Sequence, residues 1–189
     1  IAPELHYSSF EAWKAVNNPP RNSYTIETLS TGFNRQADEI EVALHALLAR
    51  SQREQFSTIV EGVHVRPSII KGFTLPPDAI VVPLLIAADR ARTLKAFFRG
   101  RAISAPRRGR KHYLDNIEAI WDLQTLLVSD AETNGVPIVV NEAEGKARSA
   151  ANVKKLGKAA LAKLEQVLAT VEQNGEIPMP QVVTPKRKR

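Results

Sequence analysis

Three short apolar runs, at 57–61, 80–87 and 136–140, are separated by stretches whose apolar residues recur with helical period, and this alternation constrains the chain more than any other feature. Buried strands of a parallel sheet read as near-continuous apolar runs, and parallel strands need a crossover long enough to hold a helix. The helical stretches supply such crossovers. Between 33 and 50, Ala37, Ile40, Val42, Ala43, Leu44, Leu47 and Leu48 predict an amphipathic helix, and 93–102 predicts a second. Tyr113, Leu114, Ile117, Ile120, Leu123, Gln124 and Leu127 mark a long helix toward Glu132, closed by Asn134-Gly135. Residues 153–171 predict another, ended by Asn174-Gly175. A short helix around Phe10, Ala12, Trp13 and Val16 is capped by Ser8 or Ser9 and broken by Asn17-Asn18-Pro19-Pro20. Helices alternating with buried strands give an α/β layered fold around a parallel sheet.

The first apolar run also carries chemistry. Thr58-Ile59-Val60-Glu61-Gly62-Val63-His64-Val65-Arg66-Pro67 passes from β-branched residues to an acid, a glycine and an imidazole within four positions. Open α/β sheets hold their ligands just beyond the carboxyl ends of strands, so the run is expected to deliver Glu61 and His64 to the rim of the sheet. Gly62 permits a tight turn or a close ligand approach, and Pro67 ends the excursion. A strand followed by an ordinary loop is the plain alternative.

At 189 residues and 43% hydrophobic content the chain can bury one substantial core. The expected organisation is one domain over 1–175 and a disordered basic tail over 176–189. The absence of cysteine excludes disulfides and thiolate metal sites, and a reducing, cytoplasmic setting fits it. The longest apolar run, 79–88, is too short to cross a bilayer and contains Pro83, so no membrane partner is expected. The chain begins at Ile1 with neither a methionine nor a basic-then-apolar leader, so no signal peptide is expected and upstream sequence is expected to be missing.

A net charge of +6 and a pI near 9.7 favour an anionic partner. Arg99, Arg101, Arg107, Arg108, Arg110 and Lys111, interleaved with Gly100, Pro106 and Gly109, predict a flexible basic loop. Guanidinium forks match phosphoryl oxygens, so such a loop suits clamping phosphate; a solvated loop is the alternative. The terminal Lys186-Arg187-Lys188-Arg189 resembles a nucleic-acid or nuclear-import patch only as any short basic run does. Neither interleaved aromatics nor a nucleic-acid module accompanies the charge, which argues against a nucleic-acid partner.

Five segments in order carry a more specific likeness. They are Gly32-Phe33-Asn34-Arg35-Gln36, Val60-Glu61-Gly62-Val63-His64, Phe98-Arg99-Gly100-Arg101-Ala102, Tyr113 with Ile117, Ile120, Leu123-Gln124 and Leu127, and Gly135-Val136-Pro137. In this succession the chain resembles the 2-phosphoglycerate kinase family of P-loop kinases, over about 6–141. The resemblance implies a three-layer P-loop kinase fold, a parallel sheet flanked by helices, with the N-terminal strands missing here. It implies ATP-dependent transfer of the γ-phosphoryl group to a phosphorylated or acidic alcohol, with ATP and Mg²⁺ as cofactors and a small anionic substrate as partner.

Phosphoryl transfer depends on positioning and charge neutralisation, which sorts the candidate residues by role. Glu61 is expected to be a catalytic carboxylate, holding Mg²⁺ through water or accepting the hydroxyl proton as a base. Gln36, Arg35 and His64 line the acceptor, with Arg35 and Gln36 placed at the start of a helix whose free amides favour an anion. Arg101 fills the Phe-x-x-Arg position as the first lid cation, with Arg99, Arg107 and Arg108 as further phosphate contacts. Asn141 lies on the adenine side. Trp13 and Trp121 are expected in core packing rather than as base platforms.

The chain departs from the family in two ways. No Gly-x-x-x-x-Gly-Lys-Ser/Thr occurs in it, and the polar positions before Phe-x-x-Arg and on the long helix are Thr93, Ala96 and Trp121. A kinase-like binding or regulatory protein without catalysis, and a basic nucleic-acid-associated protein, are therefore carried as alternatives.

Overall fold

A computed structural model describes residues 25–72, 80–104, 110–141 and 150–174. The helix expected around Phe10 to Val16, the stretch holding Arg107 and Arg108, and the terminal basic run lie outside the described residues. The chain divides into two compact units, Ile1–Ala79 and Ile80–Arg189.

The first unit is built on α1, Ile26–Arg53, which starts well before the apolar pattern that predicts it. Thr25 and Thr28 form a reciprocal capping box, each backbone N–H donating to the other's hydroxyl at 3.0 and 3.1 Å. Threonine replaces the usual Glu or Gln of such a box, so the earlier start was not legible. Leu29, Phe33, Ala37 and Leu44 form the buried stripe, whereas Val42, counted as apolar face from the sequence, is 71% exposed. Past Arg53 the chain reverses through Gln55, at φ 51°, with the Phe56 N–H donating to the Ser51 carbonyl at 3.1 Å. That closure satisfies a helix-end carbonyl but uses a residue type that the left-handed region disfavours.

The expected strand at 57–61 does not form among the described residues. The segment has no ladder partner there, and Ile59 is 97% exposed. β-Branched composition favours an extended backbone, but a strand exists only when another strand takes up its hydrogen bonds. The segment is tethered instead by the Ser51 and Thr58 hydroxyls, 2.8 Å apart. A turn follows, with the Val65 N–H donating to the Gly62 carbonyl at 3.1 Å, and then a 3-10 helix over Pro67–Gly72 with Pro67 and Ile69 buried.

The second unit holds the sheet. Strand β1, Leu85–Ala88, pairs in parallel with β2, Ile138–Asn141, matching Leu85 with Ile138 and Ala88 with Asn141. Of the run expected at 80–87, only the last residues and Ala88 enter the ladder, which begins where the Leu85 N–H donates to the Pro137 carbonyl at 3.0 Å. Between the strands lie α2 (Ala91–Ser104), α3 (Arg110–Asp115) and α4 (Ile117–Thr133), and α5 (Ala150–Asn174) follows β2. Helices α2 and α4 pack on β1 and α5 packs on β2, which gives an open parallel sheet flanked by helices, the arrangement of a P-loop kinase-like α/β fold.

The long helix expected from Tyr113 is two helices divided at Asn116, whose side chain makes no capping bond to α4. Asp115 and Asn116 are poor interior residues because their short polar side chains compete for the backbone. At the far end the expected stop is present: Gly135 sits at φ 66° and the Val136 N–H reaches back to the Ala131 carbonyl at 2.8 Å. The core of this unit gathers Ala87, Ile117, Leu123, Leu127, Ala131, Val136 and Val139, and Trp121 on α4 is half-buried. No helix among the described residues is long and apolar enough to cross a membrane.

Candidate functional site

In the first unit the chain after Gly62 returns onto α1 and is gripped at two points. His64 Nε2 lies 2.6 Å from Gln36 Oε1, and its ring stacks on Phe33 with centroids 5.5 Å apart and planes 15° from parallel. An amide oxygen only accepts, so in this bond Nε2 carries the proton and donates. Burial lowers the His64 pKa, because a charged imidazole is poorly solvated against an aromatic face. The ring is therefore a neutral, oriented polar group.

The second grip is Arg66. Its Nη1 donates to Asn34 Oδ1 at 3.1 Å, and its Nη2 donates to Asp38 Oδ1 at 2.5 Å and Glu41 Oε2 at 2.9 Å. Burial by itself would lower the guanidinium's pKa, but the hydrogen bonds and charges of Asp38 and Glu41 prevail and raise it. Glu41 also faces His45, with Oε1 at 3.5 Å from Nε2.

Of the residues singled out in this unit, Gln36 and His64 are brought together. Gln36 is buried and Arg35 is exposed. Neither lies at a helix start, because α1 begins at Ile26 and places both in its third turn; the free amides invoked for an anion are elsewhere. Glu61 is exposed, directly after the apolar Ile59-Val60 pair. Mg²⁺ is commonly held by one or two carboxylates together with substrate phosphates, and a single exposed acid fits that manner of binding. Among the described residues no group of three or more His, Cys, Asp or Glu forms a protein-only metal cage.

In the second unit the carboxyl end of β1 carries an acid that sequence reasoning passed over. Thr93, buried on α2, donates through its hydroxyl to Asp89 Oδ1 at 2.5 Å, and Arg90 Nε donates to Asp89 Oδ2. These contacts, Thr93 foremost, hold the Asp89 carboxyl below its ordinary range. Thr93, set down from the sequence as a polar loss, is thus a hydrogen-bonding residue of the β1–α2 junction. Gln124 pins the preceding residue: Ala88 N–H donates to its Oε1 at 2.8 Å and its Nε2 donates to the Ala88 carbonyl at 3.1 Å. Asn141 ends β2 directly beside Ala88.

The basic segment is only partly a loop. Arg99 and Arg101 belong to α2, with Arg99 exposed, because Thr93 to Ala102 continues in helix to Ser104 before the proline and glycines intervene. Phe98 on α2 stacks on Tyr113 of α3, centroids 4.8 Å apart and planes 10° from parallel, so two of the five segments meet here as well. The signal that would have found Asp89 is the one applied to Glu61, an acid directly after an apolar run. The signal for the Arg66 partners is the polar stripe Asn34, Asp38, Glu41, His45 at helical spacing along α1.

The chain is 33% identical over 141 residues to the 2-phosphoglycerate kinase of Thermococcus kodakarensis, covering 75% of this chain and 45% of the relative. It is 32% identical over 143 residues to the 2-phosphoglycerate kinase of Methanopyrus kandleri, covering 75% and 42%, and 27% identical over 141 residues to that of Pyrococcus horikoshii, covering 75% and 44%. No family model and no solved structure matches the chain. Sheet, flanking helices and relatives together define a kinase-like α/β protein. More narrowly, over three quarters of its length the chain is similar to the 2-phosphoglycerate kinases, and it spans under half the length of the relatives it matches.

Proposed function

We propose that the full-length protein transfers the γ-phosphoryl group of ATP, with Mg²⁺, to a small phosphorylated or acidic alcohol, 2-phosphoglycerate being the acceptor that its relatives' names suggest. One observation supports this reading above the others: Gln36 and His64, from two separate family-like segments, meet at 2.6 Å and form one polar pair against α1. In this tautomer His64 Nδ1 accepts from an acceptor's hydroxyl and the Gln36 carboxamide N–H donates to its oxygens, so neither group adds a charge that must be desolvated. Arg35, beside Gln36, supplies a cation for the same anionic acceptor.

Glu61 is the carboxylate of this scheme, either ordering Mg²⁺ through water or taking the hydroxyl proton as general base as the oxygen attacks phosphorus. Arg101, with Arg99, Arg107 and Arg108, neutralises charge on the transferring phosphoryl group, and Asn141 serves the adenine side. The protein acts in the cytoplasm on soluble substrates, without membrane or nucleic acid.

The test is phosphoryl transfer from Mg-ATP to 2-phosphoglycerate by the full-length protein and its Glu61→Gln variant. The substitution removes charge with little volume, so turnover should fall on the order of a hundredfold or more while the melting temperature stays unchanged. Turnover within about twofold of wild type would assign Glu61 to the loop alone.

A further inference from the structure

We propose that Arg66 is a positioning residue: its three-way grip on Asn34, Asp38 and Glu41 of α1 sets the orientation of His64 and, through it, the site on which the proposed function rests. The geometry carries this in three steps. Gln36 and Phe33 hold His64 from one side of α1, while Asn34, Asp38 and Glu41 lie on the adjacent stripe and hold Arg66. One anchor would leave the segment free to pivot about the His64 bond. Two anchors, two residues apart in sequence and on different stripes of one helix, remove that freedom.

The second step is the quality of the Arg66 anchor. Its side chain is 20% exposed and Glu41's is 24% exposed, so these charges are partly withdrawn from water and their hydrogen bonds outweigh those of an exposed pair. A planar guanidinium serves three acceptors in fixed directions, which a lysine ammonium cannot reproduce.

The third step is where the anchor sits in the chain. Arg66 lies between the Gly62–Val65 turn and the 3-10 helix, and its own carbonyl accepts the Ile69 N–H at 3.1 Å. At the far end of that helix Gly72 comes back against the same pair, since a side-chain carbon placed there would meet Glu41 Oε1 at 3.4 Å and His45 Nε2 at 3.8 Å. Glu41 therefore binds Arg66 at one end of the returning segment and lies beside Gly72 at the other. Among the described residues, the charged and titratable groups around this grip are Asp38, Glu41 and His45 on α1 and His64 and Arg66 on the return.

The experiment follows the His64 ring by nitrogen and carbon NMR in the full-length protein, with His64→Gln to assign it, and measures acceptor kinetics in parallel. In wild type the ring should show the neutral Nε2-protonated form. In Arg66→Ala the tautomer signature should average and the ring should titrate closer to the ordinary value of about 6.5. Arg66→Lys should keep part of the wild-type signature. For 2-phosphoglycerate, Arg66→Ala should raise KM about tenfold or more with kcat within about threefold, the pattern of lost binding geometry rather than lost chemistry. Should Arg66→Ala fail to fold, Asp38→Asn with Glu41→Gln removes the acceptors' charge at nearly constant volume and is expected to shift the ring in the same way. A folded variant of either kind with an unchanged His64 tautomer and titration overturns the proposal. Absence of turnover in wild type overturns the proposed function instead, and the ring signature still decides the role of Arg66.

Discussion

Both units place a polar cluster just after an apolar run, and they differ in how far each cluster reaches for its partners. In the first unit His64 and Arg66 bind residues 25 to 32 positions earlier on α1. In the second, Asp89 is satisfied by Arg90 and Thr93, one and four positions later. A local cluster forms whenever its helix forms. A long-range one needs the packing that brings its elements together, and here that packing centres on Phe33, buried and stacked on His64.

The largest effect that could break this comparison is Phe33→Ala. Truncating a buried aromatic typically costs about 3 to 5 kcal/mol, and here it also removes the surface against which His64 is stacked. Thr93→Val, which removes the Asp89 hydrogen bond at similar size, should cost only about 1 kcal/mol. Urea unfolding of both variants gives the two numbers. Equal losses would mean that the two clusters depend alike on their surroundings.

A middle effect sharpens the comparison, because Gln124 is a long-range side-chain grip in the second unit. Gln124→Ala leaves both the N–H and the carbonyl of Ala88 without the partner that terminates β1, and unpaired polar groups of this kind cost about 1 to 3 kcal/mol. The Ala88 amide should exchange with solvent much faster in the variant. An exchange rate unchanged from wild type would show that β1 ends there for another reason.

The smallest effect separates the units by pH. His64 has a lowered pKa in the folded state, so between that value and about 6.5 the unfolded chain binds more protons and stability declines as pH falls. Asp89 also has a lowered folded pKa, but as an acid it contributes stability above its unfolded value that is lost only as pH falls through the folded one. Stability measured from pH 8 downward should therefore show a first decline that His64→Gln abolishes and a later, more acidic one that Asp89→Asn reduces. A first decline that persists in His64→Gln would assign it to another group.

Two helix ends show how much of this was legible. Asn134-Gly135 announces the end of α4, since glycine takes φ 66° without strain. The equivalent reversal after α1 runs through Gln55 at φ 51°, with the same backward bonds to the helix, and no residue type flags it. The site divides in the same way. Gln36 and His64 were singled out by residue type and motif, but nothing in their spacing said that they touch, and Arg66 passed as the residue before a proline.

By itself the sequence determined the helices and where most of them lie, the parallel character of the sheet and the kinship with the 2-phosphoglycerate kinases, because periodicity, turn chemistry and motif order are properties of neighbouring residues. Only the tertiary structure decided that 57–61 forms no strand among the described residues, that β1 enters its ladder at Leu85, and that Arg66 is held by three residues of α1. A ladder and a guanidinium clamp both need groups distant in the chain to arrive at hydrogen-bonding distance, and that arrival is set by packing rather than by local preference.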